Sequence, residues 1–387
     1  MTFQYRLSTT ALADPYPIYR TMRDEDPAHY SAVEDVWVLT RYDDCVAALS
    51  DWKTWSSERR GNLLNDIPER IGKTLGTTDP PRHTQARQLI NKSFTPRVVA
   101  DLEPTIRAQA RRLSQRAREM GRFDYVHEIA APLNAQVLGA MIGIPEDEFL
   151  QLQHWLDDFF LREERVDGRE PRQVVAMREL KGYVDALTTR RRAEPKDDLI
   201  SAMIAAEEGG ARLSQEQIVV TTLTFLGAGF ESENNLLTNM VHALAAHPEV
   251  LAAVRQDPTL VAALIEETMR WDSAAQGFVR SPNRDVTLHG KTIPTNAQVL
   301  IHYGAANRDE RRFDDPDRFD LARTNQRHLG MGHATHFCIG APLGRLIARA
   351  AFEELLPLVQ RWEIDLERAV RVTTPNFRGF FHLELTI

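Results

Sequence analysis

Only two of the 387 residues are cysteines, Cys45 and Cys338, and Cys338 has the more reactive setting. Small and flexible residues crowd before it, from His328 through Gly330, Gly332 and Ala334. After it the apolar positions Leu346, Ile347, Ala350, Phe352 and Leu355 read as a helix that begins at Pro342. This spacing predicts a loop-to-helix junction, where unpaired backbone N–H groups and the positive helix end favour a thiolate, the form that ligates a metal or attacks carbon. A buried, inert thiol is the plain alternative for any single cysteine. Cys45, in the helical run Asp43 to Leu49, fits that alternative. Two cysteines exclude a disulfide scaffold and a multi-thiolate zinc or iron–sulfur site.

A second chemical stretch is Phe225-Leu226-Gly227-Ala228-Gly229-Phe230-Glu231-Ser232. Ser214 reads as the cap of the helix that holds it, with Gln217 as capping-box partner, and nothing stops the run before His247-Pro248. The helix is about 32 residues and roughly 48 Å long. A glycine inside a helix costs about 1 kcal/mol against alanine, so Gly227 and Gly229 require a reason. One is close packing on a neighbouring helix. The preferred one is backbone laid against a flat cofactor, with a loosened turn that frees a carbonyl and presents Glu231 and Ser232. Two further pairs share helix faces: His83 with Arg87, after Asp79-Pro80-Pro81, and Glu267 with Arg270.

Taken in order, these segments resemble the signatures of the bacterial cytochromes P-450. Met331 to Gly340 follows F-x-x-G-x-H-x-C-x-G, with Met331 at the Phe position, Ala334 at the glycine, and His336, Cys338 and Gly340 in register. Asp79 to Arg87 follows D-P-P-x-H-x-x-x-R. Ala228 to Ser232 follows A-G-x-D/E-T with Ser for Thr, Glu267 to Arg270 is E-x-x-R, and Asp315 to Phe319 looks like the segment whose arginine locks that pair. The five span residues 79 to 340 in family order.

The resemblance implies a mainly α fold: one large cytochrome P-450-type domain over residues 1–387, with small β-sheets. Haem b would lie between the long central helix and the helix after Cys338. Cys338 becomes the axial thiolate, beside Gly340, and the electron push of such a thiolate favours O–O cleavage. His83, Arg87, Arg280 and His336 would neutralise the two propionates, and O2 would bind beside Ala228 and Gly229. Glu231 would supply or relay protons and Ser232 would carry the hydroxyl of that route. Met331 and Ala334 depart from the pattern, removing a ring near the sulfur and adding a methyl where glycine's freedom is wanted. The implied reaction is insertion of one oxygen atom into a mid-sized organic substrate, such as a natural-product intermediate. No flavin or iron–sulfur segment is present, so electrons would come from a ferredoxin and ferredoxin reductase. Arg345 and Arg349 offer a basic docking spot or an ordinary solvated face. The substrate pocket would be lined by Trp52 to Thr78, Asp157 to Arg169, Phe225, Gln276 to Val279 and Phe380-Phe381.

Composition bounds these readings. A net charge of -8 and 43% hydrophobic residues suit a globular protein and not a nucleic-acid binder. No apolar run approaches the ~18 residues of a spanning helix, and the polar start Met1 to Arg6 is no signal peptide. The expectation is a cytoplasmic monomer. Tyr30 to Ala32 and Val36 to Leu39 read as a hairpin, Trp52 to Thr78 as a long loop, and Val286 to Pro294 and Val299 to Tyr303 as strands. Amphipathic helices are expected over Val98 to Met120, Leu133 to Ile142, Glu146 to Arg162 and Gln173 to Arg190. Three rival functions share parts of the pattern: a peroxide-driven peroxygenase or coupling enzyme, a non-catalytic haem sensor, and a cysteine hydrolase. The hydrolase needs Cys338 and His336 to cooperate two residues apart, and the sequence offers no oxyanion hole or orienting acid.

Overall fold

The computed structural model describes residues 5–64, 66, 70–160, 171–208, 210–324, 327–359 and 361–387. Helices dominate them: α1 (Tyr16–Glu25), α2 (Tyr42–Ser50), α3 (Arg82–Ser93), α4 (Pro96–Asp101), α5 (Glu103–Met120), α6 (Ala131–Ile142) and α7 (Phe149–Phe160). The second half adds α8 (Arg172–Ala193), α9 (Leu199–Ala205), α10 (Gln215–Ala246), α11 (Pro248–Gln256), α12 (Val261–Trp271), α13 (Tyr303–Ala306) and α14 (Ala341–Leu355). None is long and apolar enough to cross a membrane.

The central helix has the predicted bounds because its cap forms. Ser214 Oγ accepts from Gln217 N–H at 3.2 Å while Ser214 N–H donates to Gln217 Oε1 at 2.8 Å. The stretch 98 to 120 divides into α4 and α5. Pro104 cannot continue a helix that began at Pro96, because it lacks an N–H and its ring crowds the carbonyl four residues back. Residues 161–162 of the predicted helix from Glu146 lie outside the described set. Before α6 comes a feature with no sequence sign, a single π-turn over Val126–Ala130.

Strands from both ends of the chain meet in one sheet of order β1-β2-β10-β7-β3. Here β1 is Ala28–Ser31, β2 Val36–Leu39, β3 Trp55–Ser56, β7 Gly277–Pro282 and β10 Val299–His302. Between them in the chain fall β4 (Arg122–Asp124), β5 (Glu207–Glu208), β6 (Ala211–Arg212), β8 (Val286–Leu288) and β9 (Lys291–Ile293). The hairpin β1–β2 is antiparallel, and β10 joins β2 in parallel with Val299 opposite Trp37. Near the end, β11 (Glu363–Ile364), β12 (Val370–Arg371), β13 (Phe380–His382) and β14 (Glu384–Thr386) form small ladders, one of which includes β4.

The core gathers on α10, which packs on α6, α8, α12 and α14. Polar locks hold the surrounding loops to it. Glu267 and Arg270 on α12 are wholly buried and paired at 2.8 Å, and Arg270 also donates to the carbonyls of Asn307, Pro316 and Arg318. The sequence reading made the Arg318 side chain the third member. The structure corrects this: that side chain is 68% exposed, and Arg323 brings its Nε to 3.4 Å from Glu267 Oε1. Only the backbone of Arg318 takes part, because the segment turns its side chain to solvent.

Candidate active site

Cys338 lies between a 3-10 turn (Ala334–His336) and α14. Its N–H donates to Met331 O at 2.8 Å, which closes the loop. Two residues in this loop take left-handed backbone, Gly332 at φ +73° and Ala334 at φ +50°. The alanine therefore stands in a conformation that suits glycine, as its place in the pattern foretold. Arg87 on α3 reaches across: NH1 donates to Thr335 O at 3.2 Å and NH2 to Phe337 O at 2.7 Å. It grips the chain on both sides of His336 and immediately before the cysteine. Protein atoms crowd the thiol, yet the residue is exposed. Burial raises the thiol above its usual range, outweighing the lowering by the Gly340 backbone and Arg87. The helix end alone does not ionise it; a bound metal would, since a coordinating thiol is deprotonated outright. Cys45 is buried against Leu39 O, an inert thiol as expected.

Beside the loop four basic groups collect. The His83 and His336 rings are 4.5 Å apart. Burial, then repulsion from Arg87, pushes His83 down to about 4; burial, then Arg280 and His83, pushes His336 down to about 2. His336 Nε2 lies 3.2 Å from Ser57 Oγ, but both ring nitrogens of His83 are buried without a partner among the described residues. Arg280 on β7 is buried, its NH1 donating to Val279 O at 2.8 Å. The nearby carboxylate, Asp79, is held by Ser56 and by the Ser57 N–H. Four basic groups this close, the two imidazoles held neutral first by burial and then by the neighbouring arginines, form a set suited to an anion with more than one carboxylate.

On the other side α10 exposes its middle. Ala228 is exposed within a core helix, and Thr224, Phe225, Glu231 and Ser232 are half-buried. The expected loosening of the turn is absent, for α10 is continuous, and Ser232 Oγ donates to Ala228 O at 2.6 Å. A β-carbon on Gly229 would sit 3.0 Å from Leu138 Cδ2 of α6, so helix packing explains that glycine. Among the predicted lining residues, Gln276, Gly277, Val279 and Phe380 are core; Phe225, Phe278 and Phe381 remain half-open. Phe225 packs 5.8 Å from Phe94. The segment 161–169 lies outside the described residues, as do 65 and 67–69 of the long loop.

Sequence reasoning missed Glu233. Its side chain is buried against Gly344 of α14, Oε1 has no partner among the described residues, and burial raises its carboxyl well above the usual range. One residue past the recognised motif, it carried no signal. The basic spot on α14 is also changed: Arg345 pairs with Glu266 at 2.6 Å and Arg349 with Glu103 at 3.0 Å, so both charges are already matched.

The residues fit a haem. The chain supplies an exposed thiol at a loop-to-helix junction, a basic cluster with imidazole nitrogens orphaned among the described residues next to that loop, and a central helix with an exposed alanine. Comparison with known proteins agrees. The family model described as Cytochrome P450 matches residues 155–381. The chain is 34% identical over 372 residues to the cytochrome P450 monooxygenase PikC of Streptomyces venezuelae, covering 94% of this chain and 88% of that one. It is 36% identical over 368 residues to the cyclomarin C epoxidase CymV of Salinispora arenicola, covering 93% and 92%. The solved structure of cytochrome P450 CYP109Q5 from Chondromyces apiculatus superposes with a TM-score of 0.88 at 32% identity, covering 98% of both chains. The chain belongs to the cytochrome P450 family, haem-binding monooxygenases of the oxidoreductase class.

Proposed function

We propose that residues 1–387 act as one domain, a cytoplasmic monomer that binds haem b and inserts one oxygen atom of O2 into a mid-sized organic substrate. A natural-product intermediate is the favoured class, supported by the likeness to a cyclomarin C epoxidase and by the half-open aromatic side chains Phe225, Phe278 and Phe381. Electrons come from a ferredoxin and ferredoxin reductase, since the chain has no flavin or iron–sulfur segment of its own. The observation that carries the reading is the exposed Cys338 thiol in a loop gripped by Arg87.

When bound, haem supplies O2 activation and oxygen transfer. Cys338 would be its thiolate ligand, and Gly340, two residues on at the start of α14, keeps a β-carbon away from Sγ, which lies 3.8 Å from where one would be. His83, Arg87, Arg280 and His336 hold the propionates, each charge-assisted bond contributing about 1.5–3 kcal/mol. Exposed Ala228 leaves room on the α10 side, whereas Gly229 is spent on packing against Leu138 of α6. Glu231 holds the proton to be delivered, and Ser232 Oγ passes it on by rotating away from Ala228 O.

Two measurements test this. The reduced protein with CO must show the long-wavelength Soret band of a thiolate ligand, lost in Cys338→Ser. Substrate candidates are then screened by Soret shift, and hits are turned over with ferredoxin and reductase. Turnover with hydrogen peroxide alone, and none with the redox partners, would establish a peroxygenase instead.

A further inference from the structure

Away from Cys338, three side chains of metal-ligating type converge from distant parts of the chain: Asp124 on β4, His127 in the π-turn after it, and His382 at the end of β13. One donor atom of each lies within 4.8 Å of the other two. His127 Nδ1 is 2.7 Å from Asp124 Oδ2, and His382 Nδ1 meets that same oxygen. The other carboxylate oxygen is already occupied, since Oδ1 accepts from Val126 N–H at 2.8 Å and Leu383 N–H at 3.4 Å. Those backbone bonds aim Oδ2 at the two imidazoles, an orientation that ligating carboxylates commonly receive from their surroundings.

Local structure supports the cluster. A π-turn is rare and concentrates at functional sites; here it brings His127 back over Asp124, three residues earlier. Asp157 on α7, raised by burial to about 6, adds negative potential at His127, while Glu128 is tied to Arg116.

We propose that Asp124, His127 and His382 form a site for a divalent cation of borderline softness such as Zn2+, two imidazole nitrogens and one carboxylate oxygen binding it with water. Tetrahedral bonds near 2.0–2.1 Å require the two N···O separations to widen by roughly 0.5–1 Å, within the reach of ring rotation. Two imidazoles with a carboxylate suit zinc, nickel or copper and not calcium or magnesium. His127, with its side chain 56% exposed, gives an entry path and leaves the open position to water. The metal would join the entrance to α6 with β13, the strand that carries Phe381.

The test uses tag-free, haem-loaded protein freed of adventitious metal by chelation, so that Cys338 is engaged. Calorimetric titration with Zn2+ alone is expected to show one site of micromolar affinity, weakened about 10–100-fold in His127→Ala and in His382→Ala. Zn2+ is also expected to raise the Tm of the parent and not of either variant. Each variant is checked by its Soret spectrum, and His127→Gln supplies a second probe if the alanine form fails to fold. A parent that takes up no stoichiometric Zn2+, or variants that bind it equally well, would overturn the site.

Discussion

Ser232 Oγ donates to the carbonyl oxygen of Ala228, 2.6 Å away and one helical turn earlier. A hydroxyl has one proton to give, so Ser232 can accept a proton as it stands but must turn before it can donate one. Serine lacks the methyl that fixes a threonine rotamer in a helix. We expect Ser232→Ala to keep the haem spectrum and substrate affinity while diverting reducing equivalents to peroxide. Ser232→Thr should couple as well as the parent or better. Product formed per NAD(P)H consumed, with peroxide assayed alongside, is the readout; full coupling in the alanine variant would remove Ser232 from the proton route.

Ala334 at φ +50° carries a strain that glycine would not. Left-handed backbone costs a non-glycine residue about 1–2 kcal/mol, and glycine's extra freedom when unfolded returns part of that. Ala334→Gly should therefore stabilise the haem-loaded protein by about 0.5–1 kcal/mol. Chemical denaturation followed at the Soret band measures it, and a loss of stability would show that the methyl makes contacts worth more than the strain.

Arg87 braces the Cys338 loop and, in the proposed site, would also meet a propionate, whereas His83 would meet only the propionate. Haem occupancy after purification should fall modestly in His83→Ala and steeply in Arg87→Ala. Arg87→Lys should not rescue, because one ammonium cannot span the Thr335 and Phe337 carbonyls as the guanidinium fork does. Equal occupancy in all three would contradict the assignment.

Glu267 and Arg270 are both wholly buried. Removing one partner strands the other charge, at a cost of about 3–5 kcal/mol. Arg270→Ala should therefore express poorly or unfold. Arg323→Ala should be milder than Arg270→Ala, and Arg318→Ala close to silent, as thermal denaturation of the three would show.

Two carboxyls, the half-buried Glu266 and the buried Glu233, give stability opposite dependences on pH. Burial alone would raise Glu266, but bonds from Arg345 and His328 hold it at about 2. Its contribution, about 3 kcal/mol from the shift below 4.5, is present above pH 4.5 and lost as pH falls towards 2. Glu233 is raised, so the folded chain keeps a proton that the unfolded chain releases above about pH 4.5, and stability declines as pH rises from there. Glu233→Gln should gain on the parent in Tm steadily between pH 5 and 8, and Glu266→Gln should close its deficit as pH drops below 4.5. Parallel Tm curves would contradict either assignment.

Much of this was readable in advance. The α10 bounds followed from Ser214 and Gln217, and the Cys338 loop followed from its spacing, because caps and loop chemistry are local. What escaped depends on the third dimension. Gly229 fits Leu138 of another helix, and Arg323 displaces Arg318 through the path of a loop. Glu233 is unusual only because of what surrounds it, and Asp124 meets His382 across 258 residues of chain. The α14 arginines looked available for docking because their partners, Glu103 and Glu266, lie on other helices.

Arg378, almost wholly buried beside Asp272, also donates to the carbonyls of Thr10, Leu12 and Ala13. Arg378 and Thr10 are 368 residues apart, and the β1–β2 hairpin likewise has no β10 beside it until late in the chain. At ~5–20 residues per second of synthesis, the first turn of the protein waits roughly 20–70 s for the side chain that anchors it. While the residues between β2 and β10 are being made, the β2 edge stays unpaired, a template for pairing with other chains until Val299–His302 emerges to cover it.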